Sequence, residues 1–492
     1  MPTYLLKGGV VATWTKENQS RAFKADILIE STTITQIAED ITAPAGAEVI
    51  DCTNKWITPG FIDTHRHTWM TVMRGNHGEC VTSVAWLLSE YFVKQSWSTQ
   101  AAMTAEQVRI GELAGCLEAL HSGVTTILDH FHAANTPEIA EACLAAAKES
   151  GARVVWCPAR QSPATQVLPA VEFAQEEESM RWQLAKLKEW GKHGNKLTED
   201  GRVTLGLSYD VGDIGDEKIH KEIIEVARTI PVAAITAHVV KGPRILTYRD
   251  RGLLGPEVVL SHCNELDDHP DPDDEMWAAL KETGTAISST PMDEMGMAHG
   301  NPIAFEAVER GVKCSLGAPA GLQDATSINT GDMFTHMRMA LQFYRARQNY
   351  KVHVEKLTPP AHQRFFAADA FRLATLGGAE ALGLADVVGT VEVGKRADML
   401  VFDALSANLA GAAEPFRGIV YHASTEDIEA VLVDGEFVKR GGRLTKFDWA
   451  PVARELKLRA DEVRAAFPED KLEKLWQDYC KAHGGSVLKW VE

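Results

Sequence analysis

Short apolar runs separated by turn residues fill the first 57 positions: "YLLKGGVVATW", "KADILIES", "TTITQIAED" and "AEVIDCT". That rhythm predicts the strands of a small β layer. From about Trp56 the texture changes. Eight apolar runs ("ITPGFIDTH", "VTTILDH", "ARVVWCP", "VTLGLSYD", "VAAITAH", "EVVLSHC", "TAISSTP" and "VKCSLGA") are each followed by a mostly helical connection. Helix candidates include "AEQVRIGELAGCLEALHSG" and "PEIAEACLAAAKESG", the second stopping at Gly151. This alternation predicts an α/β chain built on a (β/α)8 barrel. A doubly wound open sheet is the alternative, weakened because no glycine-rich phosphate loop follows the first strand.

After about residue 388 the strand pattern returns in "GTVEV", "ADMLVFD" and "IEAVLVDGEFVKR", and Asp434-Gly435 between two apolar runs signals a hairpin. The predicted organisation is a composite β-sandwich from residues 1–57 and 388–445, a barrel over 58–387, and a helical tail over 446–492. The charged, helix-prone stretch from 162 to 200 reads as an insertion or an interface element. With the tail, it offers surfaces for a homodimer.

Composition narrows the function. The 492 residues are 45% hydrophobic and 24% charged, an ordinary globular balance. A formal net charge of −18 leaves no basic surplus for nucleic acid and disfavours an anionic membrane surface. The first residues lack a signal-peptide pattern, and no apolar run has membrane-spanning length. These features fit a cytoplasmic protein acting on a small molecule. The eight cysteines include no C-x-x-C pair and read as reduced thiols, with Cys263 and Cys314 as small buried apolar groups.

Histidines carry the chemistry. His65 and His67 lie two apart at the end of the first barrel strand, so both side chains share a face. His238 closes the fifth strand and His262 the sixth. Active sites form at the C-terminal ends of barrel strands, where these four imidazoles can converge on one divalent metal; imidazole suits zinc, iron or nickel. Asp129 and His132 end the second strand: His132 is a candidate to bind substrate and Asp129 to orient a histidine, with structural hydrogen bonding open for both. Arg66 alternates to the opposite side and reads as a structural ion pair. Trp69, Trp86 and Phe131 could line a pocket or pack in the core. His299 and His336 read as surface or packing residues.

The chain resembles the amidohydrolase superfamily. "TPGFIDTHRH" is similar to its first-strand metal motif and "VVLSHCNEL" to its sixth-strand motif. "LATLGGAEALGLADVVGTVEVGKRADMLVFD" with "DIEAVLVDGEFVKRGGRL" resembles the stretch that completes the β-sandwich, so the likeness spans residues 3–445. Within the superfamily the resemblance is to the cytosine-deaminase and chlorohydrolase-like branch. It implies one divalent metal, zinc first and iron second, held by His65, His67 and His238. His262 would be a fourth ligand or a group holding water or substrate. The implied reaction is hydrolysis of a C–N bond (amide, amidine or a deamination) in a small, cyclic or aromatic compound by a metal-activated water. "VTLGLSYD" has no lysine, so the carbamylated lysine of two-metal relatives is not expected.

One departure stands out. In the resembled family an aspartate follows the eighth-strand Leu-Gly pair by two residues and takes the water's proton; here that residue is Pro319. Asp324 and Glu294 are the candidate replacement bases, and His262 would share the proton handling. The departure also keeps open a decarboxylase, lyase, cyclase or isomerase on the same fold. Its histidines would act as metal ligands or, without metal, as acid–base groups. A binding protein that has lost catalysis is the third option.

Overall fold

The computed structural model describes residues 3–75, 103–167, 171–210, 217–240, 244–269, 271, 274–318 and 331–482. Eight parallel strands form the central unit: β1 (Phe61–Arg66), β2 (Val124–Phe131), β3 (Arg153–Pro158), β4 (Val203–Leu205 continued by Leu207–Ser208), β5 (Ile235–Val239), β6 (Val258–His262), β7 (Ala286–Ser289) and β8 (Cys314–Leu316). Neighbours pair in chain order from β1 through β4 and from β4 through β8. At the β8–β1 seam, Thr64 Oγ1 meets Ser315 Oγ at 2.7 Å and donates to Leu316 O at 3.1 Å. The predicted barrel is therefore the observed one, and the open sheet is set aside.

Each connection carries helix for local reasons. Ala105–His121 starts at a reciprocal Thr104–Gln107 capping box. Pro137–Ser150 starts on Thr136 and ends at Gly151, whose φ of 81° is the left-handed stop read from the sequence.

Strands from both chain ends share one nine-stranded sheet. Lys55–Pro59 pairs parallel with Thr3–Trp14 on one side and antiparallel with Met399–Asp403 on the other. The Asp434-Gly435 hairpin joins Ile428–Val433 to Glu436–Arg440. Leu6, Ile27, Ile57, Met399, Val401 and Leu432 form its core. The sheet docks beneath the barrel through Arg153 at the start of β3, which donates to Asp398 at 3.0 and 3.1 Å and to Asp434 at 2.7 Å. Docking at the strands' N-terminal ends leaves their C-terminal ends for chemistry.

Two segments read as candidate interface elements also pack on their own chain. The 162–200 stretch supplies Glu176–Trp190, the helix of the β3–β4 connection, with Trp190 edge-on to Trp156 of β3 at 4.9 Å between ring centroids. It packs in the barrel's outer layer. The tail forms two helices, Trp449–Ala466 and Glu469–Ala482. Arg109 pairs the first to Ala105–His121 through Glu455 at 3.2 Å. Leu475, Trp476 and Tyr479 of the second pack on Ala164 and Val167. Both segments thus bury apolar surface within their own chain. No described helix is long and apolar enough to cross a membrane.

Candidate active site

A bulge in β1 aims the first two ligand candidates. Asp63 faces Ile127 of β2 and Arg66 faces Asp129, so three steps on one strand match two on the other. Thr64 and His65 both turn inward as a result: Thr64 meets Ser288 and Ser315, and His65 Nδ1 meets Ser261 Oγ across the barrel at 2.7 Å. Arg66 turns outward into a buried pair with Asp63 at 3.3 Å and Glu118 at 3.3 Å. His67 turns back in.

His65, His67, His238 and His262 converge, all buried. The ligand atoms of His65, His238 and His262 lie within 4.8 Å of one another. His67 Nε2 is 3.1 Å from His238 Nε2. In all four rings Nδ1 is engaged from outside the cluster. His67 Nδ1 contacts the His130 carbonyl at 2.6 Å, and His238 Nδ1 contacts Asp210 Oδ1 at 3.0 Å. His65 Nδ1 meets the Ser261 hydroxyl, and His262 Nδ1 meets Thr290 Oγ1 at 2.8 Å. A carbonyl and a carboxylate only accept, so His67 and His238 carry their protons on Nδ1. Two lone pairs then face each other across 3.1 Å, a repulsive arrangement unless a cation lies between them. Two imidazole nitrogens on a tetrahedral metal with ~2.05 Å bonds sit about 3.3 Å apart. The donor set fits a divalent metal.

Burial, reinforced by the neighbouring histidines, holds His65, His67 and His262 well below the ordinary imidazole range, as neutral ligands must be. His262 and Cys263 both adopt left-handed backbone, at φ 73° and 55°. Such strain in non-glycine residues costs on the order of 1–3 kcal/mol and clusters at functional sites.

His132 lies against this cluster. Its ring stacks on His67 at 4.2 Å between centroids and 8° between planes, and its Nδ1 accepts from Trp69 Nε1 at 3.1 Å. That bond puts the proton of neutral His132 on Nε2, the reverse of His67 and His238. Asp129 goes elsewhere. It faces the helix layer beside Glu112 and Cys143 and accepts from the Thr68 backbone N–H at 3.1 Å. It therefore braces the chain just after His67.

Glu294 is buried behind His262. It accepts from Thr290 N at 2.7 Å and Ser289 Oγ at 3.1 Å, and its Oε1 is 3.8 Å from His262 Nδ1. The structure thus sets it on the outer side of His262, away from the Nε2 side where a base would act. Burial pushes its carboxyl up to about 8. Asp324, Pro319 and Trp86 lie outside the described residues. Phe131 stacks on Trp156 in the core at 6.0 Å. His299, read from the sequence as a surface or packing residue, is buried edge-on to His262 at 4.9 Å between centroids. His336 is buried as well. Cys263 and Cys314 are buried, and burial raises both thiols.

Two residues escaped the sequence reading. His130, on β2, sits 4.2 Å from His238 between ring centroids. Asp210, directly after β4, contacts His130 Nε2 at 3.0 Å as well as His238. The signal was present: Asp210 closes "VTLGLSYD" as His238 closes "VAAITAH".

A barrel with a histidine cluster at its strand ends and a sheet built from both termini is the architecture that comparison with known proteins also finds. Residues 56–438 match the model of the amidohydrolase family, and the chain belongs to that family. A 5'-deoxyadenosine deaminase from Methanosarcina mazei is 27% identical over 451 residues, covering 90% of this chain and 94% of that protein. A 5-methylthioadenosine/S-adenosylhomocysteine deaminase from Thermococcus kodakarensis is 28% identical over 422 residues, covering 84% and 89%. Among solved structures, the zinc complex of an atrazine chlorohydrolase from Arthrobacter aurescens TC1 superposes with a TM-score of 0.77 at 19% identity, covering 93% of this chain and 100% of that one. A zinc-bound adenosine deaminase from Xanthomonas campestris gives 0.74 at 18%, covering 94% and 98%. The resemblance to the superfamily is borne out.

Proposed function

We propose that this protein is a metal-dependent hydrolase that removes an amino group from a small aromatic nitrogen heterocycle. The observation that carries the reading is the 3.1 Å approach of His67 Nε2 to His238 Nε2, with both Nδ1 atoms turned to oxygen acceptors. With both rings neutral, that approach calls for a cation between the two nitrogens. His65, His67, His238 and His262 would hold one divalent metal, zinc in the first instance, each through Nε2. When bound, such a metal supplies Lewis acidity and lowers the pKa of a water toward neutrality.

The chain's own residues prepare the rest of the site. The hydroxyls of Ser261 and Thr290, the His130 carbonyl and Asp210 fix the four rings. His132 presents an N–H at Nε2, buried and with no hydrogen-bond partner among the described residues. A substrate acceptor, such as a ring nitrogen, would satisfy it. The deaminase relatives support an aminated heterocycle as the substrate class.

The test is zinc content together with ammonia release from adenosine and 5'-deoxyadenosine. Stoichiometric zinc, lost in His67→Ala along with ammonia release, is the expected result. A metal-free protein that still releases ammonia would overturn the reading. Pro319, standing where the resemblance expects an aspartate, favours a second reading in which the site runs a non-hydrolytic reaction. Incorporation of oxygen from labelled water into the product separates the two.

A further inference from the structure

Four neutral imidazoles around a divalent cation leave two positive charges in a buried pocket, where an uncompensated charge is costly. The sequence offers no carboxylate at the usual eighth-strand position, which is Pro319. Other nearby acids are committed elsewhere. Asp63 pairs outward with Arg66, Asp129 braces Thr68, and Glu294 sits behind His262 accepting from Thr290 N and Ser289 Oγ.

Asp210 differs from all of these. Its Oδ1 accepts from both the backbone N–H of His238, at 2.8 Å, and the ring Nδ1, at 3.0 Å, while Oδ2 holds His130 Nε2 at 3.0 Å. One carboxylate thereby fixes the position, rotation and tautomer of His238. We infer that Asp210 is the positioning carboxylate of the metal centre: from strand four, through His238, it supplies the negative charge that strand eight lacks. The inference rests on the metal reading above. A carboxylate behind a ligating histidine also makes the ring a stronger donor.

The experiment compares zinc affinity, measured by competition with a chromogenic chelator, in wild type, Asp210→Asn and Asp210→Ser. The amide keeps the size and removes the charge; the serine variant stands in where the amide does not fold. The expected result is zinc binding weakened about 10–100-fold, the range for outer partners of metal ligands. The melting temperature of the metal-free protein should stay at the wild-type value, and the visible spectrum of the cobalt-loaded variant should shift. Unchanged zinc affinity overturns the inference. So does a loss of affinity matched by a fall in the metal-free melting temperature, which makes Asp210 a fold residue. Wild-type protein that binds no zinc overturns the metal reading itself, and this inference with it.

Discussion

Glu294→Gln tests how the site's buried acid works. The carboxylate accepts on Oε1 from the Thr290 backbone N–H and hydroxyl, and on Oε2 from the Ser289 hydroxyl. A glutamine oxygen can take both Thr290 contacts, and its NH2 can face Ser289, whose hydroxyl turns to accept. All contacts survive and only the ionisation is lost. Burial raises the group from 4.5 to about 8 in the folded protein. A raised folded-state value means the acid stabilises the fold fully below pH 4.5, and that this stability drains away as pH climbs to about 8. At ~1.36 kcal/mol per unit, the loss is about 2 kcal/mol by pH 6 and at most about 5 kcal/mol above pH 8.

Glutamine carries no such pH dependence. Urea denaturation of the metal-free proteins should find the variant and wild type equal near pH 4.5 and the variant more stable by a few kcal/mol at pH 8. A difference independent of pH, or a less stable variant at pH 8, would refute the burial argument. Turnover separates the two roles open to Glu294. A residue acting from behind His262 should lose about 10–100-fold on mutation, mostly through metal affinity and restored by excess zinc, whereas a general base typically loses 10²–10⁴-fold at saturating zinc.

Other perturbations probe the frame. Arg66→Met leaves Asp63 buried without its partner and should cost about 3–5 kcal/mol in urea denaturation, part of it regained by adding Asp63→Asn; a loss under about 1 kcal/mol would contradict the pairing. Gly317→Ala puts a Cβ 2.8 Å from His65 Cβ and 3.0 Å from its carbonyl oxygen. The β8–β1 seam must shift, so zinc affinity should fall together with about 1–3 kcal/mol of stability. An alanine variant with wild-type zinc binding would show the seam to be slack. Trp69→Phe removes the donor that sets the His132 tautomer, and KM should rise roughly fivefold with kcat little changed, as for one lost hydrogen bond of about 1 kcal/mol. A fall confined to kcat would count against His132 as a substrate-binding group.

Much of the architecture could be read before any coordinates. Turn residues punctuate the terminal strands, and Gly151 and Asp434-Gly435 act where their chemistry says they should. The histidines at strands one, five and six meet because parallel strands bring their ends to one face. What stayed hidden follows from burial on both sides. Every residue of β2 is buried. No polar–apolar alternation distinguishes its site face from its helix face, so position parity cannot be anchored. Asp129 and His132, chosen together from the sequence, have opposite parity. One braces the helix layer, and the other joins His130 at the site. The β1 bulge is equally invisible to a period of two, yet it lets Thr64 and His65 face inward in succession.

The barrel also changes what the missing aspartate means. Along the chain, Pro319 stands alone at the end of strand eight, and its only evident replacements are acids nearby in sequence, such as Asp324. In the folded ring, the eight strand ends border one pocket, so a charge lost at one end can be offset from another. Asp210 lies 109 positions earlier (319 − 210) and reaches the cluster through a ligand's own imidazole. Sequence distance from the lost aspartate is therefore the wrong measure of candidacy. The relevant one is contact with the ring nitrogen that faces away from the histidine cluster, and among the described carboxylates Asp210 meets it for His238. On the inference above, the charge lost at residue 319 is offset from strand four, while the proton acceptor is a separate question that the labelled-water experiment addresses.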